Sequence, residues 1–238
     1  MLTKSRLFVL PLLASLALSL AQASDAGAQP KPAKPAPAAP AKKSEPSANE
    51  VADSVQKFYD RTKTFKAGFK QRYHVKAYNK RKDSKGSVVF QKPGKMSWRY
   101  TNNGNRVVSD GKVIKVYEAD NKQMYEQSMK NSQYPAALAF LVGGGNLKKE
   151  FKLRKLNAKQ MQFEGGYVLE GVPKEPTPAY QKMLLYVDAN TYQVRRVLLL
   201  DAQGNRNRFD FVTPTVNQKV AAGEFQFKPP QGTQIIKP

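Results

Sequence analysis

Few residues in this sequence are of the kinds that carry out catalysis, and they are scattered. The 238 residues contain no cysteine and a single histidine, His74. Thiol nucleophiles, zinc ribbons and disulfides are therefore excluded. His74 falls on the basic face of a predicted strand, beside Arg72 and Lys76, as expected of a solvated surface histidine. We interpret it as a surface residue without a catalytic role.

The carboxylates and glycines give no better sign of an active site. Gly143-Gly144-Gly145 follows a predicted helix, whereas a phosphate cradle opens one. Several aspartates coincide with turn signals, where aspartate is common because its side chain bonds to the local backbone; these are Asp110, Asp120, Asp188 and Asp201. The sequence therefore predicts a protein that is not an enzyme and needs neither a cofactor nor a metal.

The chain is strongly basic, with 40 Lys and Arg against 18 Asp and Glu, a net charge of +22 and a pI near 10. The first 23 residues contribute two of these charges and residues 24–50 one, so +19 lies on residues 51–238. A nucleic-acid partner is not predicted, because no recognition helix, RNP-like motif or zinc module is present. Anionic lipid or lipopolysaccharide, or simply a well-solvated surface, are the two interpretations that remain open.

The N-terminus has the pattern of a secretory signal. Lys4 and Arg6 precede an apolar run at 7–20, and Ala21-Gln22-Ala23 forms a cleavage site. We predict a signal peptide over 1–23, cleaved near Ala23, and export of the mature protein. Residues 24–46 are rich in Pro, Ala and Lys and predict a disordered linker. Residues 47–238 are then a single domain.

That domain opens with a predicted helix and continues mostly as strands. Ser47 to Glu50 has capping-box spacing, and the apolar residues after it predict a helix over 51–64. A strand at 66–78 and a charged turn, NKRKDSKG, follow. The segment 88–117 alternates between three turn signals and predicts an antiparallel meander. Residues 134–142, YPAALAFLV, predict a short apolar helix.

Further strands complete a count of about ten. They are predicted at 151–156, 161–163, 167–171, 182–188, 192–201 and 206–212, with a last short strand at 225–227. Two or three helices cannot cover both faces of so large a sheet, and a twisted sheet of this size tends to curl. The fold class predicted is mainly β (α+β), a curled antiparallel sheet that is wholly or partly a barrel, with the helices as a lid.

The inward-facing side chains of this sheet are large and apolar. They are Phe69, Tyr73, Phe90, Met96, Trp98, Tyr100, Met183, Leu185, Val197 and Leu199. They form either an ordinary core or the lining of a cavity for an apolar ligand, and composition does not choose between the two.

Four motifs carry a resemblance to a known family. FKAGFKQ (65–71), KPGKMSW (92–98), VSDGKVIKVY (108–117) and FQFKPPQG (225–232) resemble those of the periplasmic outer-membrane lipoprotein carriers, the LolA family, in order and spacing. The resemblance implies an incomplete β-barrel closed by α-helices, with the ten inward residues lining a lipid site. It also implies that acylated lipoproteins are taken from an inner-membrane ABC transporter to an outer-membrane receptor or the outer membrane itself, by a periplasmic monomer.

The same resemblance assigns lid and latch positions. The helix at 51–64 and the segment at 134–142 match lid elements, which gives as lid residues Val55, Phe58, Tyr59, Leu138, Phe140 and Leu141. Lys92 stands where the family has an arginine that bonds toward the lid, and lysine lacks the planar fork of arginine. The accompanying hypothesis is that lipid displaces residues 134–142 from the concave face of the sheet.

Two rival functions use the same features. A sensor of mislocalised lipoproteins with this fold usually carries a second domain, for which the chain has no room. An envelope protein that binds anionic glycolipid through its basic surface is the other rival, and its binding should depend strongly on salt. A receptor of the related outer-membrane type would need a lipidated cysteine, which the sequence lacks.

Overall fold

The computed structural model describes residues 45–130, 141 and 143–237. Residues Ser44–Pro238 form one compact unit. The predicted signal peptide, most of the predicted linker, and the segment 134–142 apart from Leu141 lie outside the described residues.

Two helices are present in the described part of the chain. Helix α1 spans Ala48–Asp60 and helix α2 spans Leu147–Glu150. The predicted capping box starts α1: the backbone N–H of Ser47 donates to Glu50 Oε2 at 2.7 Å, and the N–H of Glu50 donates to Ser47 Oγ at 3.3 Å. The helix ends before the predicted Thr64 because Thr64 already pairs with Gln91 in the sheet.

Twelve strands make up the rest of the fold. They are β1 (Thr64–Val75), β2 (Lys80–Gln91), β3 (Lys95–Tyr100), β4 (Arg106–Asp110), β5 (Val113–Glu118), β6 (Gln123–Ser128), β7 (Phe151–Leu156), β8 (Gly166–Pro173), β9 (Lys182–Asp188), β10 (Val194–Leu200), β11 (Arg206–Val216) and β12 (Gln234–Ile236).

The strands form one sheet in the order β12-β6-β5-β4-β3-β2-β1-β11-β10-β9-β8-β7. The sheet is curled but open, with β12 and β7 at its two edges. The predicted incomplete antiparallel barrel is therefore confirmed. One pairing differs from the prediction, because β12 lies parallel to β6.

Three predicted local elements were wrong. Most of the charged segment 79–86 belongs to β2, which pairs with β1 from Val75↔Lys80 onward, so the turn is only 76–79. Residues 161–163 lie in a loop where Gln162 adopts φ 52°, a conformation that interrupts a strand. Met161 and Phe163 instead pack on a small apolar cluster around Tyr186.

The predicted strand at 225–227 is also absent from the secondary structure, because its residues make side-chain contacts on the sheet instead of pairing. Glu224 accepts two hydrogen bonds of 3.1 Å from Arg99 Nη2. The ring of Phe227 lies 5.2 Å from the Arg106 guanidinium and 5.4 Å from the Tyr117 ring. The C-terminal segment thus covers β3–β5 before it ends in β12.

The main core lies on one side of the sheet, which we call the inner face, and α1 packs against it. Its centre is Trp98, whose ring centroid lies 5.0 Å from that of Phe69, 5.7 Å from Phe90 and 5.3 Å from Phe209. These edge-to-face and tilted arrangements are the favoured ones for aromatic pairs. Val51, Val55 and Tyr59 of α1 are fully buried in the same cluster.

Close contact between β2 and β3 requires a glycine at position 86. A Cβ added there would lie 1.8 Å from the carbonyl oxygen of Arg99 and 2.9 Å from the Phe69 ring. We expect Gly86→Ala to lower the free energy of unfolding by about 3 kcal/mol, because the obstacle is backbone. Urea denaturation followed by circular dichroism measures this loss.

Gly223→Ala is the matched control, because nothing lies within 4 Å of a Cβ at that position. It should leave the unfolding midpoint nearly unchanged. Equal midpoints for the two variants would contradict the close approach of β2 to β3.

Candidate functional site

All ten predicted lining residues lie on the inner face, and the sheet register brings them together. Phe90 pairs with Met96. Met183 pairs with Leu199, and Leu185 with Val197. Strands β1 and β11 join the two halves of the sheet, which brings the rings of Trp98 and Phe209 into contact.

Most of these residues are buried in the main core. Seven are at most 2% exposed: Phe69, Phe90, Met96, Trp98, Met183, Leu185 and Val197. The inner face therefore forms an apolar core in this state of the molecule. A ligand would have to replace contacts that the chain now makes with itself.

The three remaining residues, Tyr73, Tyr100 and Leu199, line an opening of about 470 Å³ at the end of the sheet near the β1–β2 turn. Amide and charged side chains line the rest of the opening. They are Gln71, Lys82, Asn103, Asn105, Glu118, Asp201, Asn205 and Asn207. Such a rim with an apolar floor can admit an apolar chain whose polar end stays in water.

Helix α1 covers the inner face with three of the residues that the family resemblance placed in a lid. Val55 and Tyr59 are fully buried, and Phe58 is partly buried with its ring 5.0 Å from that of Tyr59. Leu141 is buried in the same core. Leu138 and Phe140 lie outside the described residues.

Polar contacts within the described residues join α1 to β10 and to α2. The Tyr59 hydroxyl accepts a 3.1 Å hydrogen bond from the backbone N–H of Val194, the first residue of β10. Burial raises the pKa of Tyr59 above its usual value, so this hydroxyl stays neutral. Earlier in the helix, Gln56 Oε1 accepts a 3.1 Å hydrogen bond from the N–H of Leu147, and Asp53 forms a 2.6 Å ion pair with Lys148 of α2.

Lys92 reaches the C-terminal end of α1. Its Nζ lies 2.5 Å from the carbonyl oxygen of Tyr59 and 3.5 Å from that of Asp60. The last carbonyls of a helix lack intrahelical partners and carry its negative dipole end, so an ammonium is well suited to them. Burial lowers the pKa of Lys92, with the charge of Asp60 opposing the shift.

The aliphatic stem of Lys92 also contacts the segment that follows residue 142. A Cβ on Gly143 would lie 2.8 Å from Lys92 Cδ, and Gly143 has φ 86°, which favours glycine. Lys92 therefore contacts both the end of α1 and the glycine run that follows the predicted second lid segment.

Several inner-face residues were not among those predicted from the sequence. Phe65, Ile114, Leu169, Phe209 and Phe211 are buried in the main core. The alternation of Phe209 and Phe211 within 206–212 was a usable signal.

No helix of the described residues is long and apolar enough to cross a bilayer. The same part of the chain contains no group of three or more metal-binding side chains.

Comparison with known proteins identifies the family. The family model described as "Outer membrane lipoprotein carrier protein LolA" matches residues 60–228. An outer-membrane lipoprotein carrier protein of Nitrosomonas europaea is 26% identical over 193 residues, which cover 81% of this chain and 91% of that protein. Another, of Bordetella avium, is 30% identical over 153 residues, 64% of this chain and 70% of that one.

Solved structures are more distant. An uncharacterized conserved protein of Thermus thermophilus has a TM-score of 0.49 at 14% identity, covering 80% of this chain and 99% of that one. A LolA superfamily protein of Nitrosomonas europaea has a TM-score of 0.44 at 13% identity, covering 77% and 99%. With a family model that matches well over half of its length, the chain belongs to the LolA family of outer-membrane lipoprotein carrier proteins.

Proposed function

We propose that this protein is a periplasmic carrier that binds the acyl chains of lipoproteins against the inner face of its sheet. In this proposal it receives them from an inner-membrane lipoprotein-releasing ABC transporter and passes them to an outer-membrane receptor or the outer membrane itself. The observation that carries the proposal is an apolar inner face that α1 covers with the buried side chains of Val51, Val55 and Tyr59. Residues 1–23 would direct export, and residues 47–238 would act as a monomeric carrier domain.

The free energy of acyl-chain burial limits how much of the lipid can be buried if the cargo is to be released. Burying an acyl chain contributes about 0.8 kcal/mol per CH₂, so three chains of ~15 carbons would contribute ~36 kcal/mol. Non-covalent affinity saturates near roughly 18–21 kcal/mol. Full burial of all three chains would therefore prevent release.

Displacement of the lid provides an opposing cost. If lipid expels α1, the buried faces of Val51, Val55 and Tyr59 become exposed, at about 1.5–3 kcal/mol for each large apolar side chain. The sheet itself exchanges one apolar partner for another. The return of α1 to the sheet would then favour release of the cargo without a nucleotide.

Acyl binding can be tested directly with a synthetic triacylated lipopeptide. We expect native mass spectrometry of the mature protein to show a one-to-one complex with this peptide and none with the same peptide lacking acyl chains. Protein purified from its own periplasm should carry a lipoprotein or phospholipid. A protein that is empty from both sources would contradict the proposal.

The salt dependence of the complex separates the carrier from a glycolipid-binding envelope protein. Acyl binding should change little between low and high salt, because it depends on apolar burial. Binding through the basic surface should weaken steeply as salt screens the charges. A steep loss with salt would favour the glycolipid-binding function.

A further inference from the structure

The hairpin of β1 and β2 forms a strongly basic surface of the domain. Between residues 70 and 85 the chain has seven lysines and arginines and one acid, Asp83. The hairpin is paired along its full length, but β3 pairs with β2 only from Gly86 to Gln91. The tip of the hairpin, residues 76–84, therefore extends beyond β3. The turn at 76–79 lies at its end.

Two cations of this hairpin, Lys70 and Lys85, lie directly opposite one another on its outer face. On the other side of β1, Lys70 lies opposite Asp210 of β11, and Arg72 lies opposite Arg208, which is itself ion-paired with Asp210. Like charges directly opposite in a sheet are destabilising. An anionic partner covering this surface would relieve the repulsion.

Little of this charge is neutralised within the protein. Asp83 lies 3.0 Å from Arg72 and 3.4 Å from Arg81, with both pairs half exposed, and such pairs contribute little. Within the described part of the chain, the hairpin's lysines have no ion-pair partner; they are Lys70, Lys76, Lys80, Lys82 and Lys85.

The tip of the hairpin exposes an aromatic ring among these lysines. Tyr78 is 76% exposed, more than any other large hydrophobic residue in the described ranges. Its turn is well fixed: His74 Nε2 lies 3.0 Å from Asn79 Oδ1, and the N–H of Lys76 donates to Asn205 Oδ1 at 2.9 Å. An amphipathic aromatic ring flanked by lysines suits the interface between water and lipid headgroups.

We propose that the tip of the β1–β2 hairpin docks the carrier on an anionic lipid bilayer. Tyr78 would enter the headgroup layer, and the lysines around it would contact lipid phosphates. Tyr73 and Lys82 of the same hairpin line the 470 Å³ opening to the inner face, so docking brings this opening close to the membrane. An acidic protein surface would satisfy the charges but gives no role to an exposed ring.

Vesicle co-sedimentation of the mature protein without lipoprotein tests docking separately from acyl binding. At low salt the protein should bind phosphatidylcholine vesicles that contain phosphatidylglycerol and not pure phosphatidylcholine vesicles. Lys76→Ser combined with Lys80→Ser should weaken this binding about 30-fold, because each cation near an anionic surface contributes about a factor of five.

The matched control removes two exposed lysines elsewhere, by Lys152→Ser with Lys159→Ser at the β7 edge and the loop after it. It should reduce vesicle binding by no more than about threefold, through net charge alone. Equal losses in the two double variants would overturn the proposal. So would wild-type binding to soluble oligoglutamate without binding to anionic vesicles, which would assign the hairpin to an acidic protein.

Insertion of the residue 78 side chain into the headgroup layer can be measured by tryptophan fluorescence. The chain's single tryptophan, Trp98, is fully buried, so a Tyr78→Trp variant adds one exposed indole. Its emission should shift to the blue with anionic vesicles and be quenched by brominated lipid. Sedimentation with vesicles but an unchanged emission would show that the tip stays outside the headgroup layer, contrary to the proposal.

Discussion

Replacing Trp98 with alanine is expected to lower the free energy of unfolding by about 3–5 kcal/mol. Trp98 is fully buried and contacts rings from three different strands, Phe69 of β1, Phe90 of β2 and Phe209 of β11. Its removal leaves a cavity at the point where the two halves of the sheet meet. Urea denaturation followed by far-ultraviolet circular dichroism measures the loss, since the variant has no tryptophan emission.

Trp98→Phe separates packing from hydrogen bonding. The indole Nε1 is buried and has no hydrogen-bond partner within the described residues. Phenylalanine keeps a ring and removes this unpaired donor, so the expected loss is only about 1 kcal/mol. If phenylalanine were as destabilising as alanine, Trp98 would not act through packing of its ring.

Replacing Lys92 with methionine is expected to tighten the binding of acyl lipid about 10- to 100-fold. Methionine keeps the apolar stem that Gly143 contacts but donates nothing to the carbonyls of Tyr59 and Asp60. A charge-assisted hydrogen bond contributes about 1.5–3 kcal/mol, and that amount is lost only from the closed state. Because lipid binds the open state, its apparent affinity rises with the open fraction.

Titration with a fluorescent lipopeptide measures the affinity, and a thermal melt should show the ligand-free variant less stable. Lys57→Met is the control, because it removes an exposed lysine from the same helix. Lys92→Arg should bind nearly as the wild type does. Unchanged affinity in Lys92→Met, together with a lower melting temperature, would mean that Lys92 supports the fold without controlling the lid.

The sequence was most informative where local pattern and burial agree. Alternation between turn signals predicted which residues of β3, β9 and β10 face inward, because strand periodicity assigns faces without knowledge of partners. The capping box at Ser47 predicted the start of α1 for a similar reason, since its hydrogen bonds are local.

Features that depend on distant partners were not predictable in this way. The charged residues 80–85 resemble a turn, yet they form a strand because β1 pairs with each of them. Phe227 resembles a strand residue, yet it packs between Arg106 and Tyr117. Whether the inner face is exposed or covered also depends on where α1 packs. The alternation of residues within the strands carries no information on that packing.

Leaving the barrel unclosed has a consequence for self-association. An open sheet presents free N–H and C=O groups at its edges, and such edges tend to recruit further chains into aggregates. One edge here is the three-residue β12, too short to template a long pairing. The other is β7, whose central residues Lys152, Arg154 and Lys155 are basic and would repel an identical edge. A short strand at one edge and basic residues at the other thus disfavour pairing of the sheet with further chains.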